Sequence, residues 1–515
     1  MKNKLYKTFF FLTLLILNSI AFAQTEDDSF KVKGFHIDLR VQVMKMEALK
    51  SFAKKLSDAG MNTLVMEWEG TFPFEKHPLI PNQYAYSKEE IKEFVTYCEG
   101  IGIDVIPLQQ SMGHLEYVLR HQRYAEQRED NKELSQICLL EEDLNKKLFT
   151  DLFTEMAEMH KSDYIHIGAD EAYLLGHCDK CKKKAEEEGI PTLFADHIKM
   201  VSEIVISLGK RPVLWADIAL KYPDALSKLP KGCIFVDWNY GWDINRFGYL
   251  QKIIDLGFEM WGSPAIRSSP DNFYSSNWDR HMNNIQEFIP YCRQTGYNGM
   301  VMTSWSTSGI YSPIFEDHGT ISDLIPVRYV YPISGYNLLI EAYFEALKTK
   351  GALDEDKFIE QYGKSKFGFN KEQSNAMWSA LKNSQYMVIN GKVSGSDITV
   401  EMLLDSVRQN QKSLKSMKPN ANQNEFAHFV LMADIRENYM SFKAIEKKVN
   451  DPSFTKKMVP EVLEILKQIE AKEKKINDRF IALNNDLLYP SALETEHELR
   501  IHSVKSMKER LARIK

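Results

Sequence analysis

Cysteine is scarce, with six residues in a chain of 515. That excludes a small fold held together by a disulfide framework. Charge of one sign is also in short supply. The 65 Lys and Arg against 71 Asp and Glu leave a net charge of −6 and a pI near 6.2. Such a balance offers no basic footprint for a nucleic acid, so no nucleic-acid partner is expected. No Gly-rich phosphate turn follows the first strand-like run, which weighs against a doubly wound dinucleotide fold. Internal repeats and low-complexity tracts are missing too, which excludes a solenoid.

Membrane-length apolar stretches are likewise lacking after the amino terminus. The terminus itself reads as a signal peptide over residues 1–23. Lys2, Lys4 and Lys7 are basic, Phe9 to Leu17 is a short apolar run, and Ala21-Phe22-Ala23 is a small-x-small cleavage site. No cysteine follows that site, so a lipid anchor is not expected. The mature chain is expected to be exported, periplasmic or secreted, with no membrane span.

What is present is ordinary globular material, 44% hydrophobic and 26% charged. Eight β-type runs recur: Val32 to Arg40, Thr63 to Glu69, Asp104 to Gln110, Tyr164 to Glu171, Pro212 to Asp217, Cys233 to Asn239, Phe258 to Ala265 and Gly299 to Trp305. Most are continuously apolar, the pattern of parallel strands covered on both faces. Segments of helical period separate them, among them Met46 to Ala59, one beginning at Ser87, Leu144 to His160 and Thr192 to Leu208. Strand alternating with helix predicts an α/β fold, a (β/α)₈ barrel over residues 24–336. From 337 to 515 the chain is rich in Leu, Lys, Glu and Met and predicts a C-terminal helical region, with Val462 to Leu483 as one helix.

In such a barrel the active site lies at the C-terminal ends of the strands. Those ends carry Asp38 and Arg40; Glu67, Trp68 and Glu69; Gln109, Gln110, His114 and Glu116; Asp170 and Glu171; Trp215 and Asp217; Asp237, Trp238 and Tyr240; Trp261; and Trp305. Acids, amides and tryptophans suit a sugar, because indole faces cover the C–H faces of a pyranose while acids and amides hold its hydroxyls. The sharpest feature is His166-Ile167-Gly168-Ala169-Asp170-Glu171. Two adjacent carboxylates repel, which is expected to raise the pKa of one and keep an acid protonated near neutrality. A glycosidase needs one acid for the leaving oxygen and one charge to steady the cation. A solvated acidic turn or a metal-ligand pair would carry the same two residues.

The His-x-Gly-Ala-Asp-Glu stretch resembles the catalytic motif of glycoside hydrolase family 20, the β-N-acetylhexosaminidases. The resemblance, to the hexosaminidase D-like branch, is supported by Met66-Glu67-Trp68-Glu69 with Phe72-Pro73-Phe74, Tyr84-Ala85-Tyr86-Ser87, and Val105-Ile106-Pro107-Leu108 leading to Gly113-His114-Leu115-Glu116. It covers roughly Val32 to Ile310. It implies a retaining, substrate-assisted exo-hydrolase acting on terminal β-linked GlcNAc or GalNAc, with the sugar's own 2-acetamido oxygen attacking C1. It further implies that Asp170 holds the acetamido N–H and Glu171 is the acid and base, with His114 and Glu69 paired behind Glu171. Trp215, Trp238 and Trp305 are implied as pocket walls, Tyr240 or else Tyr274 as the acetamido partner, and Asp38 as a ligand of the outer hydroxyls. No cofactor and no metal are implied.

The sequence departs from the family pattern in Glu69 for an aspartate, Lys33-Gly34 for arginine-glycine, and Thr307 for a glutamate. The last two are expected to bear on contacts to the distal hydroxyls. Two other readings stand beside this one: a barrel hydrolase using separated carboxylates such as Glu69 and Glu171, and a carbohydrate-binding protein on a decayed barrel. His177-Cys178-Asp179-Lys180-Cys181 holds a lone Cys-x-x-Cys, for which a local disulfide or buried dithiol is expected over zinc. His281 and His318 read as surface loop residues.

Overall fold

All eight apolar runs form parallel strands, and the ring they make is closed in the computed structural model. The model describes residues 30–268, 271–307, 314–316, 325–382 and 386–514. The expected signal peptide and His318 lie outside the described residues. The strands are Val32–Asp38, Thr63–Glu67, Asp104–Leu108, Tyr164–His166, Arg211–Trp215, Ile234–Trp238, Glu259–Ser263 and Gly299–Ser304. Closure comes from the first and eighth strands, with Val32 opposite Gly299 and Phe35 opposite Met302. A short extra strand, Ala265–Arg267, pairs with the eighth at its upper end.

Alternation along the strands sorts their side chains into two layers. Val65, Ile106, Leu108, Val213, Ile234, Val236 and Val301 fill the barrel interior. Their neighbours Leu64, Met66, Val105, Leu214, Phe235, Met300 and Met302 face outward and join the larger core beneath the helices. Both layers are buried, which is why the strands read as continuous apolar runs.

The helices start and stop where local chemistry directs. Lys88–Gly100 opens with a capping box, in which the Ser87 side chain accepts from Glu90 N–H and the Glu90 carboxylate accepts from Ser87 N–H. Met46–Asp58, Glu142–Met159 and Ile190–Ser207 follow the first, third and fourth strands. After the fifth and sixth strands the helices shrink to Asp217–Lys221 and Gln251–Asp255, and the loops there are long.

The eighth helical position is filled by Asn337–Lys348. Its Tyr343 hydroxyl donates to the carbonyls of Gly34 and Met300, both at 2.9 Å, and so bolts the helix to the strands that close the ring. Beyond it run Glu355–Tyr362, Lys371–Lys382, Val400–Ser416, Gln423–Val449, Val459–Asn484 and Pro490–Ala512. Apart from a small hairpin, Val388–Ile389 with Lys392–Val393, the described part of this region is helical. It is sewn onto the barrel. Lys45 N–H donates to the Leu487 carbonyl at 2.8 Å, and Arg328 and Tyr274 meet Glu496 at 3.0 and 2.6 Å. Among the described residues no helix is long and apolar enough to cross a membrane.

Candidate active site

The fourth strand ends early, at His166, and the turn beyond it bends the chain into the barrel mouth. Gly168, Ala169 and Glu171 take φ values of 67°, 76° and 47°. Such left-handed backbone is uncommon for residues with a Cβ and is held only where the surroundings over-determine it. His114 (φ 53°) and Glu69 (φ 44°) share it. A regular strand would point Asp170 and Glu171 to opposite faces; this turn brings both into one cavity. Two glycines make room. A Cβ at Gly168 would lie 1.9 Å from the Gln110 Oε1, and one at Gly113 would lie 2.3 Å from the Asp170 carbonyl.

The cavity is lined by His114, Asp170, Glu171, Trp215, Trp238, Tyr240, Trp242, Arg246, Ser268 and Trp305. His114 Nε2 lies 3.3 Å from an Asp170 oxygen and 3.2 Å from a Glu171 oxygen. Burial alone would lower the imidazole pKa. The Asp170 charge and hydrogen bonds to both acids outweigh it, so His114 is held well above its ordinary value. Burial pushes Glu171 up, but the hydrogen bond and charge of His114, with help from the Tyr173 hydroxyl at 2.9 Å, bring it below the ordinary carboxylate range. The expectation of a carboxyl raised by repulsion is not met at Glu171, which is lowered by the neighbouring His114.

A carboxyl that is raised stands just behind this pair, at Asp217. Burial first, then the Asp170 charge, pushes it up to about 7. Its two oxygens accept the Glu171 backbone N–H at 3.0 Å and the Trp238 indole N–H at 3.3 Å. Asp217 thus ties the acid turn to the aromatic wall. Asp237 is also pushed to about 7 by burial, but it faces away from the cavity and accepts from Tyr297 at 3.1 Å.

The aromatic wall is built by contact between rings. Trp215 and Trp305 lie 5.9 Å apart, Trp238 and Tyr240 5.1 Å, and Tyr240 and Trp242 5.0 Å, all tilted. The Trp305 indole donates to the Tyr240 hydroxyl at 2.7 Å. Arg246 covers the Trp242 ring at 4.5 Å.

Several sequence expectations are sorted by this geometry. Tyr240 lines the cavity, whereas Tyr274 is buried against Glu496 of the C-terminal helices. Asp38 does not line the cavity. Its carboxylate is taken up by Arg40 at 2.8 and 3.0 Å and by Ser306 at 2.7 and 2.9 Å. Glu69 is fully buried, and neither of its oxygens has a hydrogen-bond partner. Burial pushes its pKa well up, helped by Glu67 and Asp38 against the opposing Arg40. With both Glu69 oxygens unpartnered, no Glu69–His114 hydrogen bond forms; His114 turns its Nε2 to Asp170 and Glu171 instead. Lys33 sits at the opposite end of the first strand from Asp38 and does not line the cavity. Thr307 is buried and also absent from the lining. His281 is not a surface residue; it is buried in helix Trp278–Thr295 between Ala265 O at 2.7 Å and Asp271 at 2.8 Å.

Sequence reasoning missed Trp242, Arg246 and Ser268, and named Asp217 only as a strand end. The alternating Trp238, Tyr240 and Trp242 was the available signal for the first of these.

A (β/α)₈ barrel with paired acids on the turn after its fourth strand, facing an aromatic cavity, defines a barrel glycoside hydrolase. Residues 5–309 match the catalytic-domain model of glycosyl hydrolase family 20, and the chain belongs to that family. It is similar to human hexosaminidase D, 28% identical over 306 residues, covering 56% of this chain and 62% of that protein. Bovine hexosaminidase D is 25% identical over 309 residues, covering 57% of this chain and 87% of that protein. Among solved structures it is similar to the β-N-acetylhexosaminidase of Bacteroides fragilis, with a TM-score of 0.49 and 18% identity over 65% of this chain and 70% of that one.

Proposed function

We propose that the protein is an exported, retaining exo-β-N-acetylhexosaminidase that removes terminal β-linked GlcNAc or GalNAc by substrate-assisted catalysis. The observation that carries this reading is the convergence of Asp170 and Glu171, through a left-handed turn, on one aromatic-lined cavity. In this reading the cavity takes a single terminal sugar.

The sugar ring lies against Trp215 and Trp305, with its acetamido methyl toward Trp238. The acetamido carbonyl oxygen attacks C1 as the bond to the leaving oxygen breaks. Asp170 accepts the acetamido N–H and steadies the positive charge spreading over the forming five-membered ring. The Tyr240 phenol, held protonated by burial, donates to the acetamido carbonyl oxygen. Glu171 protonates the leaving oxygen, then takes a proton from the water that reopens the ring, so C1 is inverted twice and the β configuration is retained. Glu69 has no place in the cavity, which removes the support for a mechanism with Glu69 and Glu171 as separated carboxylates.

The test is a side-by-side assay of matched aryl β-glycosides of GlcNAc, GalNAc, glucose and galactose. Hydrolysis confined to the two acetamido sugars, with inhibition by a thiazoline mimic of the cyclised intermediate, is expected. Equal turnover of glucosides would overturn the reading, and binding without turnover would favour a carbohydrate-binding barrel.

A further inference from the structure

Outside the cavity, three of the six cysteines meet at one point. Cys138 Sγ lies 3.6 Å from Cys178 Sγ and 3.6 Å from Cys181 Sγ. A Glu129 oxygen joins them, all four ligand atoms lying within 4.8 Å of one another. The lone Cys-x-x-Cys of the sequence therefore has its complement, but from a loop about forty residues upstream rather than from a second Cys-x-x-Cys.

We propose that Cys138, Cys178, Cys181 and Glu129 form a structural zinc site that clamps the loop after the third strand to the segment following Asp170 and Glu171. A tetrahedral zinc with Zn–S bonds of about 2.3 Å requires its sulfurs roughly 3.8 Å apart, close to the 3.6 Å observed. A disulfide requires about 2.05 Å. It would also use two sulfurs and leave the third thiol and Glu129 facing each other without purpose.

Glu129 is 2% exposed. One oxygen accepts the N–H groups of His177 and Cys178 at 2.7 and 2.8 Å, while the other is buried with no hydrogen-bond partner. An unpartnered buried carboxylate oxygen is costly, and a cation is what it lacks. Cys178 caps helix Asp179–Glu188, with its sulfur accepting the Cys181 N–H at 3.4 Å. That bond orients the Cys178 sulfur and places the helix N-terminus beside the negative charge. Three thiolates and one carboxylate suit zinc over the hard cations calcium and magnesium. Binding is a ligation step only: each thiol gives up its proton to solvent as it takes the metal, and nothing is oxidised.

The clamp lies close to the chemistry. The Gln136 side-chain oxygen accepts the Leu174 N–H at 2.7 Å, and Ile137 bridges Arg128. Leu174 follows Tyr173, whose hydroxyl holds Glu171. The four ligands thus fix the base of the segment that presents the acid.

The test uses the full chain, purified with its thiols reduced and supplied with zinc, then dialysed and analysed for metal by mass spectrometry. One zinc per chain is expected. Cobalt in its place should give the strong visible bands and thiolate charge-transfer absorption of a tetrahedral sulfur site. Cys138→Ser should retain less than a tenth of the metal, and Glu129→Gln should hold it more weakly, whereas Cys98→Ser, at a cysteine elsewhere in the core, should keep it all. Stripping the zinc should lower the melting temperature of the wild-type chain. Failure of the reduced wild-type protein to bind zinc or cobalt would overturn the proposal, as would full retention by Cys138→Ser. The cobalt spectrum needs no variant, so a Cys138→Ser chain that fails to fold does not spare the proposal.

Discussion

The two walls of the cavity are built on opposite plans. The acid wall, from the ends of the second to fourth strands, stores left-handed backbone at Glu69, His114, Ala169 and Glu171, and needs glycine at 113 and 168. At its centre His114 lies 3.2–3.3 Å from the carboxylates of Asp170 and Glu171. The aromatic wall, from the fifth to eighth strands, has no left-handed residue among its tryptophans or Tyr240. Rings in tilted contact hold one another there, with Trp215 and Trp238 on strand ends and Tyr240 and Trp242 on the loop beyond the sixth strand. The difference is one of tolerance. A proton donor must be placed within a fraction of an ångström, so its backbone is forced. A ring that covers a sugar face works over a range of positions.

The comparison makes ordered predictions. The largest effect belongs to the acid wall itself. Glu171→Gln should lower kcat on poorly activated leaving groups by about 10²- to 10⁴-fold, and Asp170→Asn should slow formation of the cyclised intermediate by a similar order, both read by steady-state kinetics. If a tryptophan variant such as Trp215→Phe cost as much, the contrast between the walls would collapse. Next is the scaffold of that wall. Gly168→Ala forces a Cβ into Gln110 at a positive φ and should destabilise the chain by about 2–4 kcal/mol, measured by denaturant unfolding; an unchanged midpoint would mean the turn is not strained.

A smaller effect, in pH rather than rate, comes from His114. Glu171 must carry a proton to donate it, so kcat/KM falls as pH rises through the lowered pKa of Glu171. His114→Asn removes the cation and hydrogen bond that lower it, so the alkaline limb should move to higher pH. A limb that stays or moves down would show that His114 does not set this proton. Smallest should be Trp238→Phe, which deletes the N–H donated to Asp217 but keeps an aromatic face. A rise in KM of about tenfold or less, roughly 1.4 kcal/mol, with kcat nearly unchanged, is expected.

Legibility in the sequence followed the same division. The eight strands were readable because both faces are buried, and Asp170-Glu171 was readable because it is contiguous. The readings that failed depended on approach in space. The cation on His114 comes from two carboxylates more than fifty residues downstream. Glu69 reads from the motif as a partner of His114, yet it lies buried beside Glu67 and Asp38 with both oxygens unpartnered and its pKa pushed up. Asp217 gained importance only once the Glu171 N–H and the Trp238 indole were seen to converge on it. The Cys138 and Glu129 complement to the Cys-x-x-Cys was invisible for the same reason, since neither sits in a motif of its own.

The bolts at the seam bear on how the molecule is made. Val32 waits for Gly299, Gly34 for Tyr343, and Lys45 for Leu487. A ribosome delivers the first partner of each pair long before the second. During that interval the growing chain carries an unpaired edge strand and a bare apolar layer, the kind of surface that sticks to other chains. Completion of the ring is thus a late event, and a chaperone that shields the nascent open sheet should raise the yield of folded protein more than any adjustment of the finished cavity.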